Sequence, residues 1–78
     1  MKLHHGTLLD RHPDGLMHVQ TANGTIEAVK PEADDIERAG WLHGGALVTF
    51  AYRGGRAFYV PQERAQAEWW RQQQERDA

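Results

Sequence analysis

The sequence predicts a mainly β domain with some helix: a small five-stranded antiparallel β-barrel, a short helix between strands 3 and 4, and a C-terminal α-helix. Three observations support this prediction. Turn signals separate short runs of strand-forming residues, an acidic segment with helix signals interrupts them, and a glycine-free run of helix formers ends the chain. An antiparallel sheet with the terminal helix packed across one face is the alternative.

Length and composition set the scale of the molecule. The chain has 78 residues, a net charge of -2 and no cysteine. We expect one domain, with residues 1–60 forming the barrel and residues 61–78 forming a helix that packs on the barrel or on a partner. The lack of cysteine excludes disulfides, thiolate catalysis and cysteine-ligated metal sites. With no secretion signal and no apolar run long enough to span a membrane, we expect a cytoplasmic protein without a membrane partner.

Two turn signals organise the first three strands. Residues 3–10 are compatible with a strand, and the sequence PDG at residues 13–15 supplies turn chemistry after it. The Asn-Gly pair at residues 23–24 predicts a two-residue type I′ hairpin. That turn places Thr21 opposite Ile26, Val19 opposite Ala28 and Met17 opposite Lys30. One face of the hairpin is then mainly apolar, formed by Met17, Val19, Ile26 and Ala28.

An acidic segment after the third strand predicts the short helix, over about residues 31–39. Pro31 suits the first turn, and Glu32, Asp34 and Asp35 complement the positive end of the helix dipole. Gly40 is placed to end the helix in the left-handed conformation. We therefore expect the acidic side chains to serve the helix rather than a ligand.

The stretch WLHGGALVTFAYRGGRAFYV returns to strands around a Gly54-Gly55 turn. This turn sets Phe50 opposite Tyr59 and Tyr52 opposite Ala57, and it leaves both faces substantially apolar. We therefore expect the outer face to be covered, with the terminal helix as the covering element. The turn also places Arg53 opposite Arg56, where like charges repel unless water or an anionic partner relieves them.

The last segment predicts a helix from about residue 62 to about residue 75. Its apolar content is small apart from the adjacent Trp69 and Trp70. One interpretation docks these rings on the domain's own hairpin. The other presents them to a partner groove or to a second copy of the chain, since aromatic residues are enriched at interfaces.

Two stretches resemble known families. GTLLDRHPDGLMHVQTANGTIEA, residues 6–28, resembles the opening strands of bacterial translation initiation factor one, a single OB domain, and implies contact with ribosomal RNA. GGALVTFAYRGGRAFYV, with its core at residues 45–60, is similar to the last strands of the small KfrB-type domain of plasmid and conjugation proteins. That resemblance implies an accessory protein of a mobile element without catalytic residues. The predicted barrel is accordingly of the OB or SH3-like kind.

Candidate catalytic and metal-binding groups are few. His4 and His5 point to opposite faces of a strand, and we see no second histidine pair with ligand spacing, so we expect no metal site. Serine and cysteine are absent, and the chain has little volume for a substrate pocket, so we expect no enzyme and no cofactor.

These considerations favour a non-enzymatic protein-interaction module, an accessory or inhibitory factor of a plasmid or phage that binds a host or element protein. The alternative is an OB-type protein that binds single-stranded RNA or DNA through aromatic stacking and two arginines. A protein is the preferred partner, nucleic acid is the second, and self-association through the terminal helix is a further option. The expected partner-binding residues are Arg53, Arg56, Tyr52, Trp41, Trp69 and Trp70.

Overall fold

The computed structural model describes residues 2–77. Five strands precede the terminal helix: β1 (His4–Arg11), β2 (Met17–Thr21), β3 (Ile26–Lys30), β4 (Leu47–Arg53) and β5 (Arg56–Tyr59). A 3-10 turn (Ala33–Asp35) runs into a short helix, α1 (Ile36–Gly40), between β3 and β4, and α2 (Gln62–Asp77) follows β5. Within residues 2–77, no helix is both long enough and apolar enough to cross a membrane.

The strands form a closed barrel in the order β1-β2-β3-β5-β4, and β4 pairs with β1 to complete it. This confirms a five-stranded, OB-like barrel with a helix between β3 and β4. The prediction of a wholly antiparallel sheet is wrong at one place, because β3 and β5 run parallel. The chain leaves β3 through the 3-10 turn and α1, so the hairpin that follows returns with β5 pointing in the direction of β3.

The register of the β2–β3 hairpin differs by one residue from the prediction. Val19 pairs with Glu27, and Met17 pairs with Val29. The loop has three residues, 22–24, and Gly24 ends it in the left-handed region at a φ of 89°. A slip of one residue exchanges the faces of a strand, so Val29 is buried whereas Ile26 is 61% exposed.

The side chain of Asn23 stabilises this longer loop. Its Oδ1 accepts hydrogen bonds from the hydroxyls of Thr21 and Thr25, the latter at 3.0 Å. Residues 13–15 form a loop of the same kind between β1 and β2, in which the backbone N–H of Leu16 donates to Asp14 Oδ1 at 3.1 Å. Asn-Gly and Asp-Gly therefore both end three-residue loops here.

The β4–β5 hairpin has the predicted register, with Phe50 opposite Tyr59 and Tyr52 opposite Ala57. Gly54 and Gly55 form the predicted turn, and their positive φ angles of 60° and 78° are those that a type I′ turn requires. Both faces carry buried side chains. The inward residues join the barrel core, which consists of Leu8, Met17, Val19, Val29, Ala39, Val48, Phe50, Ala57 and Tyr59.

The two helices correct and confirm the remaining predictions. The predicted single helix is divided into the 3-10 turn and α1. Gly40 is the last residue of α1, and its φ angle is not positive. The prediction that Gly40 ends the helix in the left-handed conformation is therefore wrong. Instead, the backbone N–H of Trp41 donates to the carbonyl of Arg38 at 3.1 Å. The terminal helix is confirmed at Gln62–Asp77.

Candidate interaction surface

The first turn of α2 attaches the helix to the barrel. Arg64 forms an ion pair with Asp35, and Glu63 forms one with Arg38. Asp35 is buried, and Pro61, just before the helix, is also buried. Asp35 therefore has a structural role other than the expected one: it makes no capping hydrogen bond to its own helix, and its charge holds the start of α2 against α1 and the 3-10 turn.

The tryptophan pair lies further along α2 and remains accessible. Trp69 is 51% exposed and Trp70 is 61% exposed, and their rings meet edge to face with centroids 5.0 Å apart. The interpretation in which both rings are buried against the chain's own hairpin is therefore wrong. The helix instead buries Glu68 and half-buries Ala65 on the side toward the barrel.

Trp69 borders a groove between α2 and the outer face of β1 and β4. Leu3, Leu42, Leu47 and Ala65 line the same groove. Leu47 is 69% exposed, and we did not identify it from the sequence. The alternation of LVTFAY could have revealed it, because Leu47 shares the outer face of β4 with Thr49 and Ala51, whereas Val48 and Phe50 point into the core.

The helix positions three and four residues away from the two tryptophans carry no charge. Residues three or four positions away lie beside a side chain on a helix surface. For Trp69 and Trp70 these neighbours are Ala65, Gln66, Ala67, Gln72, Gln73 and Gln74. Glu68 and Arg71, which precede and follow the two tryptophans, form an ion pair with each other. The helix surface around the rings is therefore an uncharged, partly apolar strip, which we call the tryptophan strip, and Lys2 borders Trp69 from outside the helix.

The arginine hairpin is stabilised within the chain. Arg53 lies opposite Arg56, as predicted, and its guanidinium donates to the Glu32 carboxylate at 2.7 Å. The same guanidinium stacks over the Phe58 ring at 4.5 Å from the centroid. Glu32 thus neutralises one of the two facing charges, and an anionic ligand of Arg53 has to compete with this carboxylate.

Tyr52 lies at a mouth of the barrel. The Glu27 carboxylate lies near its phenol, and its ring meets the rings of His4 and Phe50 edge to face at 5.0 and 5.8 Å. Partial burial, and then the Glu27 carboxylate, raise the pKa of Tyr52 above 10.0. Tyr52 and Arg53 share a cleft with Glu32, whereas Trp69 borders the groove beside Leu47.

The remaining predicted residues are placed as follows. Trp41 follows α1 directly and is 69% exposed. His4 and His5 lie on opposite faces of β1, as expected: the His4 ring stacks on Phe50, and His5 Nδ1 is 3.0 Å from the Thr49 hydroxyl. Residue spacing in the sequence did not reveal a second group of side chains with ligand atoms. Asp10, His12 and His18 come together at the end of the β1–β2 hairpin.

Fold and surface together define a class: a small OB-like barrel with an appended helix that presents two adjacent tryptophans to the outside. Comparison of the chain with models of known protein families and with curated proteins finds no match. The resemblances of residues 6–28 and 45–60 to two families therefore stay predictions.

Proposed function

We propose that this protein is a non-enzymatic interaction module that binds another protein through the tryptophan strip and the adjoining groove. The observation that carries the proposal is the exposure of Trp69 and Trp70, at 51% and 61%, next to the 69% exposed Leu47. Large apolar side chains grouped on the surface of a small protein are typical of binding sites. Aromatic residues are also enriched at protein interfaces, and tryptophan is frequent among the residues that dominate binding energy.

The two rings can supply a substantial part of the free energy that binding requires. A tryptophan contributes about 150–250 Å² when buried, so covering the exposed halves of both rings removes about 200 Å² from water. At about 25 cal/mol per Å², this burial contributes up to about 5 kcal/mol before the entropy of association is subtracted. The groove beside Leu47 adds further apolar surface.

The partner we propose is a protein that offers an uncharged apolar groove to α2. Charged residues are depleted at interface cores, and the neutral flanks of Trp69 and Trp70 match that composition. Docking of one helix face into a hydrophobic groove is a common recognition mode. Nucleic acid is disfavoured at the strip, because the helix positions three and four residues from the rings carry no cation and Arg71 is paired with Glu68, so Lys2 beside Trp69 offers little charge for phosphate.

The biological setting follows from the resemblance of residues 45–60 to KfrB-type domains. On that basis the protein is an accessory or inhibitory factor of a plasmid or phage, and its partner is a host or element protein. The cysteine-free composition fits action in the cytoplasm.

The test compares the double variant Trp69→Gln/Trp70→Gln with Trp41→Gln. The control removes a tryptophan that is at least as exposed and lies away from α2, just after α1. We expect wild type and the control to capture the same protein from host lysate, and the double variant to lose it. A tryptophan at an interface contributes about 2 kcal/mol or more to the binding free energy. The purified double variant should therefore bind the purified partner at least about thirtyfold more weakly than wild type does.

Two outcomes would contradict the proposal. One is capture that the double variant leaves unchanged while its circular dichroism matches wild type. The other is a concentration-dependent dimer, seen by sedimentation, that the double variant abolishes, because the strip would then bind a second copy of this chain.

Binding of single-stranded nucleic acid through the barrel is the second candidate. The loop between strands 4 and 5 contributes to the binding face of OB domains, and here Arg53 and Arg56 flank it. The carboxylates of Glu32 and Glu27 on Arg53 and Tyr52 oppose this function. A labelled oligonucleotide should shift at low salt, and Arg56→Glu should abolish the shift, whereas no shift at low salt eliminates this candidate.

A further inference from the structure

A β-bulge in β1 redirects the side chain of Asp10. Leu8 pairs with Val19, but Asp10 pairs with His18, so Leu9 is an extra residue in the strand. In a regular strand Asp10 would share the inward face of Leu8. The bulge places it on the outer face, directly opposite His18, with Asp10 Oδ1 2.6 Å from His18 Nδ1.

His12 joins this pair from the start of the loop. Its position is fixed by two backbone hydrogen bonds, from its own N–H to the Leu16 carbonyl at 2.8 Å and from the Gly15 N–H to its carbonyl at 2.9 Å. Its ring meets the His18 ring edge to face, with centroids 4.9 Å apart. One ligand atom from each of Asp10, His12 and His18 lies within 4.8 Å of the others.

We propose that Asp10, His12 and His18 bind a zinc ion. Two imidazoles and one carboxylate are a donor set that Zn²⁺ takes at about 2.0–2.2 Å, so three ligand atoms around one ion lie about 3–4 Å apart. Ligand atoms as far apart as 4.8 Å close by about 1–2 Å to reach that spacing, and Asp10 Oδ1 and His18 Nδ1, at 2.6 Å, move slightly apart. Asp10 and His12 are exposed and His18 is only partly buried, so small rotations suffice.

The surroundings leave the site open to a cation. Arg11 lies between two of the ligands in sequence, but its guanidinium donates to the carbonyls of Ala39 at 3.0 Å and Leu42 at 2.9 Å. These bonds hold it on the side of α1, because consecutive residues of a strand point in opposite directions. Three protein ligands leave one position of a tetrahedral ion for water or for a side chain of a bound protein.

The donor set also selects among cations. Imidazole suits zinc, nickel and copper, whereas Mg²⁺ requires an octahedral shell of oxygen ligands. The site uses no residue of the tryptophan strip, so the zinc proposal and the proposed function can be tested separately.

The experiment is a calorimetric titration of the untagged full-length chain with Zn²⁺, with Mg²⁺ as the contrasting cation. His12→Gln removes one ligand without breaking the contact between Asp10 and His18. His43→Gln is the matched control, because it removes an exposed histidine of the α1–β4 loop. Histidine side-chain NMR signals identify the imidazoles that bind, and thermal unfolding reports stabilisation by the ion.

We expect one Zn²⁺ per chain, shifts confined to the His12 and His18 rings, and a rise in the unfolding temperature. His12→Gln should weaken binding by at least about tenfold, whereas His43→Gln should leave it unchanged. Mg²⁺ should produce no shift of these signals. The proposal is overturned if Zn²⁺ does not bind, if His12→Gln binds as tightly as wild type, or if the shifts fall on His4, His5 or His43.

Discussion

Exchanging Val29 for threonine tests the register of the β2–β3 hairpin. Val29 is fully buried opposite Met17, whereas Ile26 is 61% exposed. The register expected from a two-residue turn reverses these environments, because it faces Ile26 inward and Val29 outward. Threonine is β-branched like valine and isoleucine, so Val29→Thr and Ile26→Thr both preserve strand propensity.

The two variants should differ clearly in stability. Val29→Thr replaces a buried methyl by a hydroxyl, which costs about 1–3 kcal/mol by desolvation. A domain of this size has a free energy of unfolding of about 4–12 kcal/mol, at about 0.05–0.15 kcal/mol per residue. Ile26→Thr changes a side chain that is mostly in water and should stay within about 0.5 kcal/mol of wild type.

Urea unfolding followed by tryptophan fluorescence measures both variants. With a slope of about 1 kcal/mol per molar for a small domain, the midpoint of Val29→Thr should fall by about 1–3 M. The midpoint of Ile26→Thr should move by less than about 0.5 M. If Ile26→Thr is the more destabilised of the two, the observed pairing is refuted and the register of a two-residue turn is supported instead.

The other predictions concern packing, the buried ion pair and alkaline pH. A Cβ at Gly6 would lie 2.7 Å from a backbone oxygen of β2, so Gly6→Ala should lower the free energy of unfolding by about 1–3 kcal/mol. A Cβ at Gly40 would contact nothing within 4 Å, so Gly40→Ala should raise the free energy of unfolding by up to about 1 kcal/mol. Urea unfolding measures both. Equal effects would contradict the close approach at Gly6. Arg64→Met leaves Asp35 buried without its cation and should cost about 1–3 kcal/mol, a figure reduced because Arg64 is half exposed; an unchanged midpoint would refute the role of this pair. Burial, and then nearby carboxylates, raise the pKa of Tyr59 above 10.0, so the folded state keeps its proton longer and stability falls as pH rises past 10.0. Tyr59→Phe should reduce that loss in unfolding curves at alkaline pH, and an unchanged slope would argue against the shift.

The sequence was sufficient where one local signal determines the structure. Two glycines in succession allow the type I′ turn of the β4–β5 hairpin, so its pairing was predicted residue by residue. Asn-Gly is compatible with both a two-residue and a three-residue loop. The choice between them depends on Asn23, which accepts hydrogen bonds from both flanking threonines, and on the core that receives Val29.

The functional surface was predictable only in part. Trp69 and Trp70 were identified, but their exposure depends on what attaches α2, and the ion pairs of its first turn involve residues far away in the chain. The group of Asp10, His12 and His18 depends on the bulge at Leu9, which has no marker such as glycine in the sequence. Alternation alone places Asp10 in the core.

The parallel contact between β3 and β5 has a consequence for how the chain folds. Each hairpin of this protein joins neighbouring segments, but the β3–β5 contact and the β1–β4 contact both join segments that are distant in the chain. Closing such loops costs chain entropy before their contacts repay it, so these two seams set the folding rate. A circular permutant that links the two ends and opens the chain in the loop before β4 would shorten the stretch of chain between β1 and β4 and lengthen the stretch between β3 and β5. Its refolding kinetics would identify which of the two contacts limits the folding rate.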